Sequence, residues 1–323
     1  MASKQTNKQK RDMQPAARAQ PTEFFTPPEW ERLCERSSWK GLALVAHCWL
    51  AVGAAIAMGV HWPITIPLAI MLVGNRQLGL FILMHDAAHG ALHPNRKIND
   101  WVGKWLCGFD LHPYRAYHLK HHRFVQQDAD PDLVLSAPFP ISPTSLRRKV
   151  VRDLTGQTFY KQRVEPFFTQ LKQRGSDTSV LTVVRRELSS NGMFWLGNAA
   201  GLAVFSALDL GSAWLAMWLL PMATWLPLIS RIRNISEHAL VAHNEPNPLK
   251  HARTTHTNWL GRMLIAPYWV NYHCEHHMFT HIACWKLPAA HILLARQGAT
   301  QRMETQSGYL KVLRLATTPR AAH

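Results

Sequence analysis

The sequence predicts an all-α integral-membrane fold: four transmembrane helices in two hairpins, with a cytoplasmic helical cap. Three observations predict it. The hydrophobic residues, 47% of 323, collect in four blocks instead of spreading evenly. The 36 Lys and Arg lie almost wholly between those blocks. The 19 histidines are concentrated just after the apolar and amphipathic stretches.

Taken in order, residues 1–28 are polar, rich in Lys and Arg, and contain four prolines. They have no continuous apolar run of the kind a cleavable signal needs, so they read as a disordered basic cytoplasmic tail. The first block, 41–60, has no charge. At about 1.5 Å per residue it reaches across a hydrocarbon core of about 30 Å. The second, 64–84, contains Arg76. A charge at mid-bilayer is costly, so Arg76 is expected near the inner interface, where its stem can snorkel. Only "DLGS" separates the third block, 192–208, from the fourth, 213–230, which makes them a helical hairpin. Pro221 and Pro227 are expected to kink the fourth helix, which membranes tolerate where neighbours re-satisfy the backbone. Residues 101–111 and 259–270 are too short to span and carry tryptophans, so each reads as an interfacial helix. The mixed-charge stretch 143–187 reads as a solvated helical cap. One membrane domain is expected over 29–298, followed by a C-terminal tail over 299–323.

Charge orients this bundle. Eight Lys/Arg fall in residues 1–40, sixteen in 85–191 and eleven in 231–323, and the two hairpin tips have none. The excess of positive charge on one side places both termini, the central segment and the site in the cytoplasm, at the inner membrane if the source is bacterial. The net charge of +16 also raises nucleic acid as a partner. No aromatic-interleaved basic stripe, zinc-finger spacing or RNP pattern supports that, and basic cytoplasmic faces account for the charge. The five cysteines show no CxxC spacing and read as reduced thiols.

The histidines carry the chemistry. "HDAAHG" places His85 and His89 four apart, on one face of a helix. "YHLKHH" supplies His118, His121 and His122. "RNISEHAL" places Asn234 four before His238, and "YHCEHH" supplies His273, His276 and His277. In each triplet the first histidine shares a face with both others, while the adjacent pair diverges by about 100°. Each triplet can therefore serve two ions. The nine imidazoles suffice for two metals of coordination number about five, and Zn, Cu, Fe and Ni all accept such ligands. Asp86, Asp128, Asp130, Asp132, Glu237 and Glu275 are candidates to orient ligand imidazoles through the second ring N–H, or are solvated. Tyr117 and Tyr272 are packing residues or donors to that shell. The remaining histidines, among them His243, His251, His281 and His291, read as ordinary polar residues.

"HDAAH", "HLKHH" and "HCEHH" resemble the three histidine boxes of the integral-membrane fatty acid desaturase superfamily, in order and in topology over residues 30–294. The resemblance implies a mushroom-shaped helical fold of four spans whose cytoplasmic cap holds two iron ions, with O2 as co-substrate. "NISEH" resembles a pair found in stearoyl-CoA desaturase-type relatives, which implies that His238 is a ninth ligand and that Asn234 holds an iron through water. The first box has three intervening residues, not the four of stearoyl-CoA desaturases, and the third begins with His, not the Gln of many front-end desaturases. No "HPGG" haem motif is present, so electrons are expected from a separate donor: a ferredoxin, cytochrome b5 or a reductase drawn to the basic cap. The implied reaction introduces a double bond into an acyl chain carried as an acyl lipid, acyl-CoA or acyl-carrier-protein ester. Carotenoid ketolases and hydroxylases of the same superfamily share the short first box and form the alternative. A metal transporter is the remote alternative. It would place its ligands near the midplane on spanning helices, whereas here they follow the spans.

Overall fold

A computed structural model of the chain describes residues 14–108, 110–175 and 178–318. It divides into two compact units. One comprises Met1–Ala46, Gly79–Leu146 and Arg231–His323, the other His47–Leu78 and Arg147–Ser230. The structure is mostly helical. Among the described residues, three helices are long and apolar enough to cross a membrane: Lys40–His61, Pro63–Ala88 and Gly211–His238. They contain the first, second and fourth spans expected from the sequence. The third expected span, 192–208, falls in the 28-residue helix Val180–Ala207 except for its last residue, Leu208, which caps that helix. That helix is long enough, but its apolar run is broken by Asn191 and Asn198, and Arg185, Arg186 and Glu187 occupy its first half. Three helices therefore combine length with apolarity, where the sequence reading has four.

Several polar groups within the second unit are answered locally. Asn198 donates to the Phe194 carbonyl at 2.9 Å and accepts from Trp218 Nε1 at 3.0 Å. Gln77 Nε2 donates to the Trp218 carbonyl at 2.8 Å. Such pairing is what makes polar residues tolerable where no water competes. Pro221, with no N–H to donate, is preceded by a π-helical turn at Leu215–Leu219. The helix is interrupted at Thr224 before it resumes as Trp225–His238. The expected kink is thus a widened turn followed by a break.

The first unit is built from shorter elements. The two expected interfacial helices are not continuous. Residues 101–111 divide between the helix Arg96–Val102, a π-helical turn Gly103–Cys107 and the start of the helix Leu111–Phe124. Residues 259–270 form the helix Trp259–Leu264, capped by the Asn258 side chain, and a 3-10 turn Pro267–Trp269 in which Tyr268 is left-handed at φ 50°. Pro267 cannot extend the first of these.

An all-α description also needs amending. Arg253–Thr255 pairs in parallel with Glu304–Gln306, in the register Arg253↔Glu304. This strand and the helix Tyr309–Leu315 belong to the stretch that composition alone assigns to a tail. Val312 and Ala316 are buried against Ile235 and Ala239. With Tyr309 they form a short apolar stripe that is easily overlooked in a seven-residue helix.

At the other end, residues 1–13 lie outside the described residues. From there on, the stretch read as a tail packs onto the unit. Ala16 N–H donates to the Arg123 carbonyl at 2.8 Å. Phe24, Phe25 and Trp30 surround the Phe279 ring, with centroids 5.1–6.1 Å away. Gly41 permits one close approach: a Cβ there would sit 2.1 Å from the Leu92 carbonyl oxygen. The five cysteines are free, in keeping with reduced thiols.

Candidate metal centre

Four helical segments deliver the histidines, all nine of which lie in the first unit. His85 lies in the last turn of Ile66–Ala88, and His89 follows one turn later, its N–H on the His85 carbonyl at 3.2 Å. His118, His121 and His122 project from Leu111–Phe124. His238 ends Trp225–His238, and His273, His276 and His277 occupy His273–Met278. Eight of the nine are buried and His89 is half-buried.

Their donor atoms form two groups. One is His85, His89, His118, His122 and His276. The other is His121, His238 and His277, extended by Glu237 and His273 through His238. Both triplets divide as the angle between adjacent helical residues requires: His121 parts from His122, and His276 from His277.

Spacing within each group tests whether a metal fits. Nε2 of His276 is 3.0 Å from Nε2 of both His85 and His122, and His122 is 2.9 Å from His118. In the second group, Nε2 of His273 is 2.9 Å from His238 and 3.2 Å from His277. Hydrogen bonds cannot satisfy such a chain, because a neutral imidazole has one N–H and each central Nε2 faces two others. Nitrogens held at about 2.1 Å from one ion and at right angles to each other are about 3.0 Å apart. The donor sets therefore fit a metal in each group.

Protonation agrees. His118, His122, His273, His276 and His277 are held well below the usual imidazole value, first by burial and then by neighbouring imidazoles. His89 is pushed down to about 3 by burial, with His281 and Arg115 adding to it. Neutral imidazole is the ligand form.

A pH dependence follows. Above about 6.5, neither the folded nor the unfolded chain protonates these groups. Below that value, the unfolded chain binds protons that the folded chain refuses, and stability falls. Metal-free protein in detergent is expected to show a declining Tm from about pH 7 to about pH 5. A flat Tm across that interval would contradict neutral burial.

The acidic candidates separate into distinct roles. Asp130 Oδ1 accepts from His121 Nδ1 at 2.8 Å and from the Asp132 N–H at 2.8 Å, while Oδ2 accepts from the Gln126 N–H at 2.9 Å. This fixes the His121 tautomer and turns Nε2 toward the group. Tyr117 donates to Asp132, whose carboxylate is 3.6 Å from His121 Nδ1, so Tyr117 belongs to the supporting shell. Asp86 Oδ1 is 3.4 Å from His85 Nδ1, and its Oδ2 accepts from the Cys284 N–H at 2.8 Å. Glu237 Oε2 stands 3.5 Å from His273 Nε2. Asn234 is half-buried one turn before His238.

Two candidates point elsewhere. Asp128 pairs with His243 at the surface at 3.1 Å. Glu275, fully buried, accepts from Thr254 Oγ1 and His291 Nδ1 and so anchors its helix instead of orienting a ligand imidazole. His291 is thus more than the ordinary polar residue its sequence context suggests.

Sequence reasoning also passes over Gln126, which has no motif around it. With a left-handed φ of 59°, it donates through Nε2 to the His238 carbonyl at 3.0 Å. It thereby ties the segment after one histidine helix to the end of another. His122 and His277, one from each group, line a cavity with Arg18, Trp30, Phe279 and His281, and no acidic residue among the described residues lines it.

A family model described as fatty acid desaturase matches residues 60–308, which include all nine histidines. The chain is 26% identical over 262 residues to a dihydrorhizobitoxine desaturase of Bradyrhizobium elkanii, covering 78% of this chain and 72% of that protein. It is 26% identical over 267 residues to a β-carotene ketolase of Paracoccus sp. (strain PC1), covering 76% and 88%. It is 21% identical over 277 residues to a chloroplastic omega-6 fatty acid desaturase of Glycine max, covering 82% and 64%.

Proposed function

The chain belongs to the fatty acid desaturase family, and from that premise we propose that it is an O2-dependent di-iron desaturase that introduces a double bond into an acyl chain. The observation that carries this reading is the pair of imidazole groups, each with the nitrogen spacing of a metal shell. His85, His89, His118, His122 and His276 would hold one iron. His121, His238, His273 and His277 would hold the other, with Asn234 contributing through a water. Iron bound there supplies the O2-dependent removal of hydrogen from unactivated carbon, which no side chain performs.

The chain's own contribution is position and exclusion. Asp130 holds the His121 ring in one tautomer, and Tyr117 restrains Asp132 beside it. Burial keeps His89, His118, His122, His273, His276 and His277 neutral. The cavity beside His122 and His277 has an apolar side in Trp30 and Phe279 and cationic or polar groups in Arg18 and His281. That combination suits an apolar chain with an anionic end, as in an acyl lipid, acyl-CoA or acyl-carrier-protein ester. A separate donor, whether a ferredoxin, cytochrome b5 or a reductase, delivers electrons at the basic face, which the charge asymmetry orients to the cytoplasm.

The β-carotene ketolase match over 88% of that relative favours one second reading, oxygen insertion into an apolar substrate. Mass spectrometry of lipids and pigments from an expressing host separates the two. Acyl chains lighter by two hydrogens are expected. Oxygenated pigment with unaltered acyl chains would transfer the assignment to the ketolase reading.

A further inference from the structure

We infer that Glu237 is itself a metal ligand, giving a carboxylate to the ion held by His121, His238, His273 and His277. The inference rests on the two-metal reading above. The imidazoles divide unequally, five in one group and four in the other. Glu237 precedes His238 on the same helix, and its carboxylate lies in the donor group that contains His238 and His273, all within 4.8 Å of one another. The carboxylate oxygen 3.5 Å from His273 Nε2 thus faces a nitrogen already 2.9 Å from His238 and 3.2 Å from His277. Three nitrogens and one carboxyl oxygen converge where no set of protons can satisfy them all.

The state of the carboxylate points the same way. Glu237 is 3% exposed, yet neither of its oxygens has a hydrogen-bond partner among the described residues. A buried carboxylate left in that condition is costly unless a cation answers it. Arg233, one turn earlier, brings Nε to 3.1 Å, but that nitrogen makes no hydrogen bond either. The pair is a charge contact and leaves the oxygen lone pairs available. Asp130 shows the contrast: its oxygens are already taken up by three donors, so it orients a ligand and has no oxygen to spare for an ion.

The ligand sets would then differ in charge as well as in number. One ion would have five neutral nitrogens and the other four nitrogens and a carboxylate. A hard anionic oxygen favours the higher oxidation state, so the two ions would be inequivalent.

The test uses the purified full chain in detergent, loaded with Co(II), whose visible absorption reports on its ligands, and with Fe(II) under anaerobic conditions. Wild-type protein is expected to retain two ions after dialysis. Glu237→Gln, nearly isosteric, is expected to bind the second ion at least about tenfold more weakly and to lose part of the Co(II) band. Asn234→Ala is expected to have the smaller effect. Glu237→Asp keeps the charge beside Arg233 but shortens the arm, and covers the case in which the glutamine variant is not recovered. A ligand role predicts a shifted band and weaker second-ion binding, whereas an ion-pair role predicts neither. Wild-type affinity and spectrum in the recovered variants would overturn the inference. A wild-type chain that retains no pair of ions would instead overturn the two-metal reading beneath it.

Discussion

His276→Ala is expected to strip the first histidine group of its ion and to reduce turnover by more than about 100-fold, while the protein remains in the membrane. His276 is the hub of that group, its Nε2 3.0 Å from both His85 and His122. His85, His89, His118 and His122 come from two helical segments, and His276 joins them to a third. Losing a supporting partner of a metal ligand typically costs about 10–100-fold in affinity, and losing the ligand that bridges two segments costs more. The measurement is iron per protein by elemental analysis, alongside product formation and membrane recovery. A variant with full turnover and unchanged iron would remove the basis for assigning a metal to this group.

Asp130→Ala is expected to be nearly as severe, although Asp130 is not proposed to touch a metal. Its carboxylate is buried and accepts from His121 Nδ1 and from the backbone N–H groups of Gln126 and Asp132. Each donor left unsatisfied costs about 1–3 kcal/mol, so the variant should show a clear loss of Tm. His121 would also lose the contact that selects its tautomer, and metal affinity in the second group should fall about 10–100-fold. Asp130→Asn, whose amide oxygen still accepts, should recover part of the stability and less of the affinity. Wild-type affinity in the alanine variant would show that His121 needs no such partner.

Much of the site was legible because helical spacing converts directly into direction. The i, i+4 pair His85/His89 and the two triplets announce shared faces, and the divergence between neighbours anticipates that His121 and His122 serve different groups. What was not legible depends on contacts between distant segments. Nothing around Gln126 signals that it reaches the His238 carbonyl. Nothing in "HCEHH" says that its glutamate turns away toward His291 while the glutamate of "NISEH" turns toward His273. Hydropathy reads three of the expected spans well. It is ambiguous for Val180–Ala207, where Asn198 lowers the apolar average although Trp218 satisfies it. The short helix Tyr309–Leu315 escapes notice because its stripe is only three residues, one of them just past the helix end.

That last helix has a consequence for how the protein matures. Val312 and Ala316 press on Ile235 and Ala239, which flank His238 in the chain. Glu304–Gln306 pairs with the strand that contains Thr254, the residue that holds Glu275 between two histidines. Both braces are synthesised after His277, the last of the nine imidazoles. At about 5–20 residues per second, a ribosome takes seconds to pass from that histidine to Ala316. Throughout that interval the nascent chain holds every imidazole without these two contacts. On the two-metal reading, a chain stalled shortly after His277 would carry the complete set of histidines without these two braces, and is expected to bind metal more weakly than the chain that includes them.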